Sequence, residues 1–507
     1  MRARCYFGFV VLDPDVCYRA LKARDARFDG RLFVAVTTTR IYCRPVCPAS
    51  LAKRENCRFF PSAAAAQEAG FRPCLRCRPE TAPAHGAWNG TSNTVARGLS
   101  LIAEGSLDGD EASVESLAER LGVGERQLRR LFQQHLGASP IAVAQTRRVL
   151  FAKQLIHETP LPMAEVALAA GFGSVRRFNE TFQRLYARPP SALRRARSGA
   201  QRSVAGAVTV RLRYRPPYDF EAMLAFLAAR AVEGVERVES QRYHRTLLHD
   251  GVLGSVEIAH LPRESSLAAT IRFPSVRVLP GVIARIRRAF DVDVDVEAVT
   301  RHLGGDPFLK PLVAARPGLR AAGAWDGFEL GVRAVLGQQV SLAAARTLAK
   351  KLVQLCGARF EPAEALEGAL AFAFPTPEAV RRAKLEKLGM PDARRRALRM
   401  LAEAALEDPE LFQPRASVEE TVRRLCEVPG VGTWSAHYIA LRAAREPDAF
   451  PSSDLGLLRG ATETGRRRPT PRELEKRSER WRPFRAYAAE QLWAADAARK
   501  NPSGGSP

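Results

Sequence analysis

Two stretches in the first half of the chain carry the same pattern of apolar and polar positions. In residues 114–137 an apolar stripe at helical spacing ends at a glycine turn, 122–124, and resumes in a second helix with arginines at its polar positions. Residues 163–186 repeat this order around Gly171. Each stretch predicts a helix-turn-helix motif, whose second helix can enter a DNA major groove, although a pair of ordinary amphipathic helices is the alternative for either stretch alone. The outward residues that we expect to contact DNA are Arg126, Arg129, Arg176, Arg177 and Asn179.

The pattern changes in the second half of the chain. Residues 208–214, 242–260 and 268–273 are strand-like, and helical patterns occupy 220–231 and 282–290. From about residue 306 onward the apolar residues recur at helical spacing. The sequence therefore predicts a multidomain chain that is mainly α, with α+β parts.

Composition narrows the class of partner. The chain of 507 residues is long enough for about three or four domains, and its formal net charge of +24 favours a polyanion, with nucleic acid as the first choice. No apolar run approaches the ~20 residues that a membrane-spanning helix needs, and no cleavage site follows the short apolar patch at residues 7–12. We therefore expect a cytoplasmic protein without a membrane partner.

The cysteines are concentrated near the beginning of the chain. Two close pairs occur, in C-R-P-V-C at 43–47 and in C-L-R-C at 74–77, and four thiolates at such spacings suit tetrahedral zinc. Basic neighbours such as Arg44 and Arg76 would help to keep the sulfurs ionised. Four buried free cysteines are the alternative. The predicted zinc ligands are Cys43, Cys47, Cys74 and Cys77.

A glycine-punctuated turn, V-P-G-V-G at 428–432, separates two helical patterns. The free N–H groups and the positive dipole end of the second helix would form a site suited to a DNA phosphate. Trp434 and Tyr438 follow on that helix, and Asp454 stands at the beginning of the next segment. A plain helix–helix turn and a capping aspartate are the alternatives. The predicted phosphate-binding residues are Gly430, Gly432 and Thr433.

The first half of the chain resembles two known families of regulators. The stretches T-T-T-R-I-Y-C-R-P-V-C-P-A (37–49) and A-G-F-R-P-C-L-R-C-R-P-E (69–80) resemble the N-terminal zinc domain of the Ada family, and the helix-turn-helix stretches, followed by R-P-P-S-A-L-R-R (188–195), resemble the AraC/XylS DNA-binding domain. The Ada resemblance implies that zinc-bound Cys43 accepts a methyl group from a methylphosphotriester in DNA. The loss of that thiolate's charge would then strengthen DNA binding. Arg72, a basic neighbour of the cysteines, is also expected to contact DNA, while a purely structural zinc module is the alternative.

The second half resembles the alkylated-base DNA glycosylases of the AlkA type, which belong to the helix-hairpin-helix superfamily. The resemblance rests on residues 213–232, 314–320, 328–341 and 425–454. It implies that Asp454 stabilises an oxocarbenium-like sugar while aromatic faces hold the flipped base. The implied base-pocket residues, and last the side chain that wedges into the DNA helix, are Phe226, Trp434, Tyr438, Trp493 and Gln339.

The same resemblance bears on cofactors and on the reaction. The hairpin carbonyls of Cys426, Val428 and Val431 would hold a monovalent cation. Relatives that also cut the DNA strand have a lysine at the position of Trp434, so we expect a monofunctional DNA-3-methyladenine glycosylase II. No cysteine follows Asp454, so no iron–sulfur cluster is expected.

These patterns together predict a DNA repair glycosylase that excises 3-methyladenine and 7-methylguanine, fused to a zinc-dependent, methylation-responsive transcriptional regulator. The alternative is a transcriptional activator whose glycosylase half is inactive and only binds DNA. The expected partners are alkylated and promoter double-stranded DNA and RNA polymerase, and the chain is expected to be a monomer. The expected divisions are an Ada-type zinc domain at 1–82, a linker at 83–93, an AraC-type all-α domain with two helix-turn-helix motifs at 94–196, a linker at 197–207, a small AlkA-type α+β domain at 208–305 and an all-α helix-hairpin-helix glycosylase domain at 306–500.

Overall fold

The computed structural model describes residues 13–83, 93–109, 112–194, 207–360, 370–415, 417–463 and 465–500. The chain divides into a first unit, Met1–Tyr214 with Leu261–Ala284, and a second unit, Arg215–His260 with Arg285–Pro507. The linkers expected at 83–93 and 197–207 lie almost wholly outside the described residues. Residues 1–12 of the expected zinc domain also lie outside them.

The first unit begins with a small sheet and two short helices. Its elements are α1 (Pro14–Lys22), β1 (Phe33–Val36), β2 (Ile41–Cys43), β3 (Cys57–Phe60), α2 (Ala63–Glu68) and β4 (Arg72–Pro73). Strand β1 pairs antiparallel with β2 and β3, whereas β4 pairs parallel with β2. The parallel pairing sets Tyr42 beside Pro73. Cys43 and Cys74, the residues that follow this pair in the sequence, therefore come to the same end of the sheet.

The following part of the first unit is helical. Its helices are α3 (Asn93–Glu104), α4 (Val114–Arg120), α5 (Glu125–Leu136), α6 (Pro140–Glu158), α7 (Met163–Ala169) and α8 (Val175–Tyr186). The two predicted helix-turn-helix motifs are confirmed as α4–α5 and α7–α8. Ser113 and Ser174 cap α4 and α8 with their side chains, and Phe132 and Phe178 anchor each second helix in the core.

Helix α6 joins the two motifs and also packs on the cysteine-bearing part. Its Lys153 is fully buried and donates from Nζ to the Cys74 carbonyl oxygen at 3.2 Å and to Glu80 Oε2 at 2.8 Å. A buried ammonium costs free energy unless a counter-charge and hydrogen bonds accompany it, and Glu80 supplies the charge. Ser62 Oγ also donates to the carbonyl oxygen of Leu136, the last residue of α5, at 2.7 Å. The cysteine-bearing and helix-turn-helix parts are thus packed together within the first unit.

The strand-like region folds as expected, with one helix after its first strand and another after its last. Its elements are β5 (Ala207–Arg213), α9 (Phe220–Arg230), β6 (Glu236–Glu239), β7 (Arg242–His249), β8 (Val252–Leu261), β9 (Ser266–Arg272) and α10 (Leu279–Ala289). Within the first unit, β5 and β9 pair antiparallel, with Val210 opposite Ala269. Within the second unit, β6, β7 and β8 form an antiparallel meander, with Tyr243 opposite Ile258.

Among its described residues, the rest of the second unit is helical apart from one short strand pair that the sequence did not predict. Its elements are α11 (Val296–Leu303), α12 (Leu309–Ala315), α13 (Gly327–Leu336), α14 (Leu342–Cys356), β10 (Ala358–Arg359), β11 (Phe372–Ala373), α15 (Pro377–Arg382), α16 (Asp392–Glu407), α17 (Val418–Cys426), α18 (Thr433–Arg442), α19 (Leu455–Gly460), α20 (Pro471–Ser478) and α21 (Arg485–Lys500). These helices enclose one large core, in which Trp481 is fully buried. The core fixes the ends of α18 and α19, where the candidate site lies. Across the described ranges, each helix is either too short or too polar to cross a bilayer.

Candidate functional site

Four cysteine sulfurs meet at one end of the sheet in the first unit. The Sγ atoms of Cys43, Cys47, Cys74 and Cys77 all lie within 4.8 Å of one another. The parallel pairing of β2 and β4 places one cysteine of each sequence pair side by side, and a short turn after each strand brings in the second. Three of the residues are buried, whereas Cys43 is only half-buried. Cys43 is therefore the most accessible of the four.

The cluster has the donor set of a zinc site. Zinc binds four thiolates tetrahedrally with Zn–S distances of about 2.3 Å, and the sulfurs are close enough together for this geometry. Two backbone N–H groups support the sulfurs from outside, since Arg44 N donates to Cys77 Sγ at 3.4 Å and Arg76 N donates to Cys74 Sγ at 3.3 Å. The residues present therefore fit the metal.

The four sulfurs do not hold their protons equally. Hydrogen bonds with Cys47 and then with the other two cysteines raise the pKa of the Cys43 thiol well above its ordinary value. The hydrogen bond with Cys43 lowers the pKa of Cys47 to about 7. Four thiolates at this spacing repel one another, so a cation is needed to hold all of them deprotonated.

The arginines beside the cysteines bind loops rather than sulfurs. The Arg44 side chain donates to Asp29 Oδ1 at 2.7 Å and to Thr81 Oγ1 at 2.6 Å, so its backbone N–H and not its guanidinium reaches the cluster. The Arg72 guanidinium lies 5.9 Å from the ring centre of Tyr186 at the end of α8. Arg72 thus connects the cysteine-bearing part with the second helix-turn-helix motif.

The predicted DNA-contacting residues of both motifs lie on exposed positions of α5 and α8. They are Arg126, Arg129, Arg176, Arg177 and Asn179. Arg129 Nε donates to Glu125 Oε1 at 2.8 Å, and Arg176 Nε donates to Glu180 Oε1 at 2.8 Å. Exposed pairs of this kind contribute little to stability, so both guanidiniums can leave their glutamates for a phosphate at small cost.

The predicted hairpin is present between α17 and α18. Gly430 has φ +90°, and a Cβ there would lie 2.4 Å from Ala397 Cβ, so only glycine fits. Gly432 precedes α18 with φ −79°, contributes no side-chain cap and has open space where a Cβ would stand. The fold alone therefore does not require glycine at this position. The open space and the uncapped N–H groups leave room for an anion beside the exposed Thr433.

Hydrogen bonds hold the loop after α13 against the hairpin. Gln338 Nε2 donates to the Gly430 carbonyl oxygen at 2.8 Å, and Arg394 Nη2 donates to the Gln338 carbonyl oxygen at 2.7 Å. Gln339, the predicted wedge, is exposed with φ +57° and does not line the cavity described next. Its apolar neighbour Val340, which the sequence reasoning missed, is 36% exposed and does line it.

A cavity of about 300 Å³ opens between α9, α13, α18 and α21. It is lined by all four predicted base-pocket aromatics and by Asp454. The rings of Trp434 and Tyr438 are stacked, with centres 5.4 Å apart, and the ring of Trp493 meets Tyr438 edge-on at 6.4 Å. Phe226 reaches the same cavity from α9.

The Asp454 carboxylate is held by three N–H donors. Trp434 Nε1 donates to Oδ2 at 2.9 Å, Trp493 Nε1 donates to Oδ1 at 2.8 Å, and Leu457 N donates to Oδ1 at 3.0 Å. The last bond makes Asp454 the N-cap of α19, so the capping alternative is also realised. Gly456 allows the approach, since a Cβ there would lie 2.9 Å from Trp493 Cδ1 and 3.0 Å from Asp454 Oδ1.

Two arginines that the sequence reasoning missed lie among the aromatic rings. The guanidinium carbon of Arg442 is 4.3, 5.1 and 5.2 Å from the ring centres of Phe226, Tyr438 and Trp493. The guanidinium carbon of Arg230 is 3.9 Å from the Phe226 ring centre. Burial raises the pKa of Tyr438, but the two guanidiniums outweigh it and leave that pKa below its ordinary value. The sequence signal was helical spacing, since Arg442 stands four residues after Tyr438 and Arg230 four residues after Phe226.

Four further charges on the cavity wall form a closed ring. Arg245 and Arg333 alternate with Glu236 and Glu329, and each carboxylate contacts both guanidiniums. Arg245 Nη1 donates to Glu236 Oε2 at 3.1 Å, and Arg333 Nε donates to Glu329 Oε1 at 2.9 Å. The ring joins β6 and β7 to α13 and leaves no charge uncompensated.

Four family models match the chain in order. They are the metal binding domain of Ada (residues 16–80), a helix-turn-helix domain (117–196), the AlkA N-terminal domain (209–326) and the HhH-GPD superfamily base excision DNA repair protein (332–483). The cysteine cluster falls within the first match. The hairpin and Asp454 fall within the last.

Full-length relatives are similar over the same stretches. The probable bifunctional transcriptional activator/DNA repair enzyme AlkA of Mycobacterium tuberculosis is 43% identical over 95% of this chain and 96% of its own. The DNA-3-methyladenine glycosylase 2 of Escherichia coli is 38% identical over 56% of this chain and 95% of its own. Among solved structures, the 3-methyladenine DNA-glycosylase of Archaeoglobus fulgidus matches 57% of this chain and 98% of its own, with 23% identity and a TM-score of 0.49.

Proposed function

Because the chain belongs to the family of bifunctional transcriptional activator/DNA repair enzymes, in which a helix-hairpin-helix DNA glycosylase is fused to zinc-binding and helix-turn-helix regulatory domains, we propose that it excises N-alkylated purines, 3-methyladenine and 7-methylguanine among them, from double-stranded DNA. The observation that carries the proposal is the Asp454 carboxylate, fixed by the indoles of Trp434 and Trp493 in the wall of an aromatic cavity. The reaction is hydrolysis of the N-glycosidic bond.

The aromatic walls suit a flipped, positively charged base. An N-alkylated purine carries positive charge, and its glycosidic bond is already weakened, so no strong general acid is required. The stacked rings of Trp434 and Tyr438 and the ring of Trp493 present π faces, which attract a cation. A neutral base would gain only stacking from these rings, so the rings favour a positively charged base over a neutral one.

Asp454 acts on the sugar as the bond breaks. Positive charge then develops on the deoxyribose, and a carboxylate fixed nearby stabilises it without having to reorganise. The indole bonds keep both oxygens in place, and an oxygen can also accept a proton from the attacking water. Within the described residues, arginines line the cavity but no lysine does. This supports a monofunctional glycosylase, in which water attacks the sugar and leaves an abasic site.

The hairpin and the neighbouring loop hold the DNA. Gly430, Gly432 and Thr433 present the beginning of α18 to a phosphate of the lesion strand. Gln339, exposed on its fastened loop, fills the space that the extruded base leaves. The carbonyls of Cys426, Val428 and Val431 would hold a monovalent cation, whose charge would strengthen the phosphate site.

The first unit senses a different lesion. Its four cysteines bind Zn²⁺, which keeps the sulfurs ionised. The half-buried Cys43 thiolate attacks the methyl carbon of a methylphosphotriester, an S–C bond forms, and the C–O electron pair leaves with the phosphate oxygen as a diester. The cluster loses one negative charge and repels DNA less. Arg72 and the exposed residues of α5 and α8 then hold promoter DNA for RNA polymerase, with the chain as a monomer.

The proposed divisions follow these roles. The sensing domain spans 1–82 and the helix-turn-helix domain 94–196, the α+β and glycosylase domains span 208–305 and 306–500, and linkers separate the regulatory parts.

The decisive experiment measures release of 3-methyladenine from alkylated duplex DNA by the wild type and by Asp454→Asn. We expect the wild type to release the base and the variant to be slower by about a hundredfold or more, because asparagine keeps the cap but lacks the charge and can accept a hydrogen bond from only one of the two indoles. Asp448→Asn, which removes a carboxylate paired with Arg485 outside the cavity, is the control and should release base normally. If neither wild type nor variant releases base while both bind DNA, the chain is a DNA-binding regulator only. Equal release by both would make Asp454 a structural residue.

The methyl acceptor is tested separately. After incubation with DNA bearing methylphosphotriesters, mass spectrometry should find one added methyl group on the peptide with Cys43 and none on those with Cys47, Cys74 or Cys77. Zinc binding with no methylated Cys43 would favour a purely structural zinc module.

A further inference from the structure

Glu490 is a buried carboxylate directly behind the aromatic cavity. It lies on α21, three residues before Trp493, and is 9% exposed. Its Oε1 is 3.0 Å from Arg442 Nη2. Burial raises the pKa of Glu490, and the nearby charges of Arg442, Arg230 and Arg445 reduce that rise without cancelling it.

The Arg442 guanidinium is held in place beside the aromatic rings. Its Nη1 donates to the Ala322 carbonyl oxygen at 2.7 Å, and the residue is 2% exposed. The guanidinium is therefore a permanent positive charge within 4.3 to 5.2 Å of the Phe226, Tyr438 and Trp493 ring centres.

The charges around the aromatic rings balance only when Glu490 is included. Arg442 and Arg230 contribute two positive charges, and Asp454 supplies one negative charge. Glu490 supplies the second. Arg346 and Asp326 also line the cavity and add one charge of each sign. The ring of Arg245, Arg333, Glu236 and Glu329 is neutral in itself and compensates none of this charge.

We propose that Glu490 is a specificity-determining residue of the base cavity, whose carboxylate neutralises Arg442 and so lets the aromatic rings accept a positively charged base. This inference rests on the proposed function, since it concerns the charge of the base that the glycosylase removes. Glu490 does not line the cavity in the described residues, so it acts on the base through Arg442 and not by contact.

The physical reason is the weak screening inside the protein. Like charges a few ångströms apart repel by several times more there than in water. Without Glu490 an incoming cationic base would meet one uncompensated guanidinium, and the cation–π attraction would be partly cancelled. A DNA site without a base would meet no such repulsion.

The test compares wild type, Glu490→Gln and Asp448→Asn, all as full-length zinc-loaded protein. The first readout is single-turnover release of 7-methylguanine, a cationic base, from a defined duplex. The second is Kd for the same duplex with a tetrahydrofuran abasic analogue, which has no base. We expect Glu490→Gln to slow release about tenfold while its Kd for the base-free duplex stays within about twofold. Asp448→Asn removes a loop carboxylate that pairs with Arg482 and with Arg485, the first residue of α21, and should change neither value.

A double variant separates charge from packing. Removing the guanidinium as well, in Glu490→Gln with Arg442→Gln, restores the charge balance, so release should recover to within about threefold of wild type. The proposal is overturned if Glu490→Gln releases 7-methylguanine at the wild-type rate. It is also overturned if release and base-free binding fall together, or if the double variant is as slow as the single one. Failure of the wild type to release any base would instead defeat the proposed function.

Discussion

The cysteine cluster of the first unit and the base cavity of the second both crowd ionisable groups into a small volume. In the cluster, four groups of one kind stand within 4.8 Å of one another and none can neutralise the others. Around the cavity, guanidiniums and carboxylates alternate in the ring of Arg245, Arg333, Glu236 and Glu329, and Arg442 is paired with Glu490.

This difference in charge balance determines whether each site needs an added ion. The cluster is completed only by a cation, and in the proposed sensor its charge would change when one sulfur is methylated. The cavity is balanced by its own side chains and is ready before a lesion arrives, which suits a catalyst that must not reorganise. The following predictions test this contrast.

Removing zinc should have the largest effect and should be confined to the first unit. Binding of a structural zinc ion contributes about 10 kcal/mol or more to folding, so chelation should abolish or strongly lower the thermal transition of the first unit. Release of 3-methyladenine should stay within about twofold of the untreated rate. A parallel loss of release would show that the catalytic site is not independent of the metal.

Breaking the ring of charges should destabilise the second unit. Arg245→Met leaves Glu236 and Glu329 buried with one guanidinium between them. The free energy of unfolding, measured in urea, should therefore fall by about 3–5 kcal/mol. Arg301→Met, which removes an exposed pair with Glu297, is the control and should stay within about 0.5 kcal/mol of wild type. Similar losses in both variants would argue against a special role for the ring.

His437 is a buried residue of the second unit whose protonated form no neighbouring carboxylate compensates well enough to offset its burial. Burial, aided by Arg485, lowers its pKa to about 4, and its Nδ1 accepts a hydrogen bond from Phe450 N at 3.3 Å. The unfolded chain binds this proton near pH 6.5, so stability is full above that pH and declines by about 3 kcal/mol as the pH falls to about 4. Urea unfolding at several pH values should show this slope in the wild type and a smaller one in His437→Gln. An unchanged slope in the variant would assign it to other groups.

Gly456→Ala should have the smallest effect of these changes. It should lower the rate of base release more than the stability of the second unit. The added methyl group would press on Trp493 and on Asp454 Oδ1, so the carboxylate would shift and base release should slow about tenfold, or ~1.4 kcal/mol. Gly432→Ala adds its methyl group to open space and should leave the melting temperature unchanged, with any effect limited to DNA affinity. Normal release by Gly456→Ala would mean that the indoles are less tightly placed than their distances imply.

Local patterns made much of this molecule predictable from sequence. The paired cysteines, the repeated helix-turn-helix stretches and the V-P-G-V-G hairpin each lie within a short segment, where spacing determines geometry. The partners of Asp454 were harder to foresee, since its indole donors come from 20 residues before it and 39 residues after it. Arg442 and Glu490 were missed because each is ordinary on its own helix. Their role depends on how α18 and α21 meet α9.

The position of Asp454 at the beginning of α19 has a practical use. An asparagine caps a helix about as well as an aspartate, so Asp454→Asn should keep the beginning of α19 in place while removing the charge that the proposed mechanism requires. The variant should therefore capture a damaged base and retain it. Tagged and applied to genomic DNA, it would serve as an affinity reagent for enriching and mapping alkylation damage.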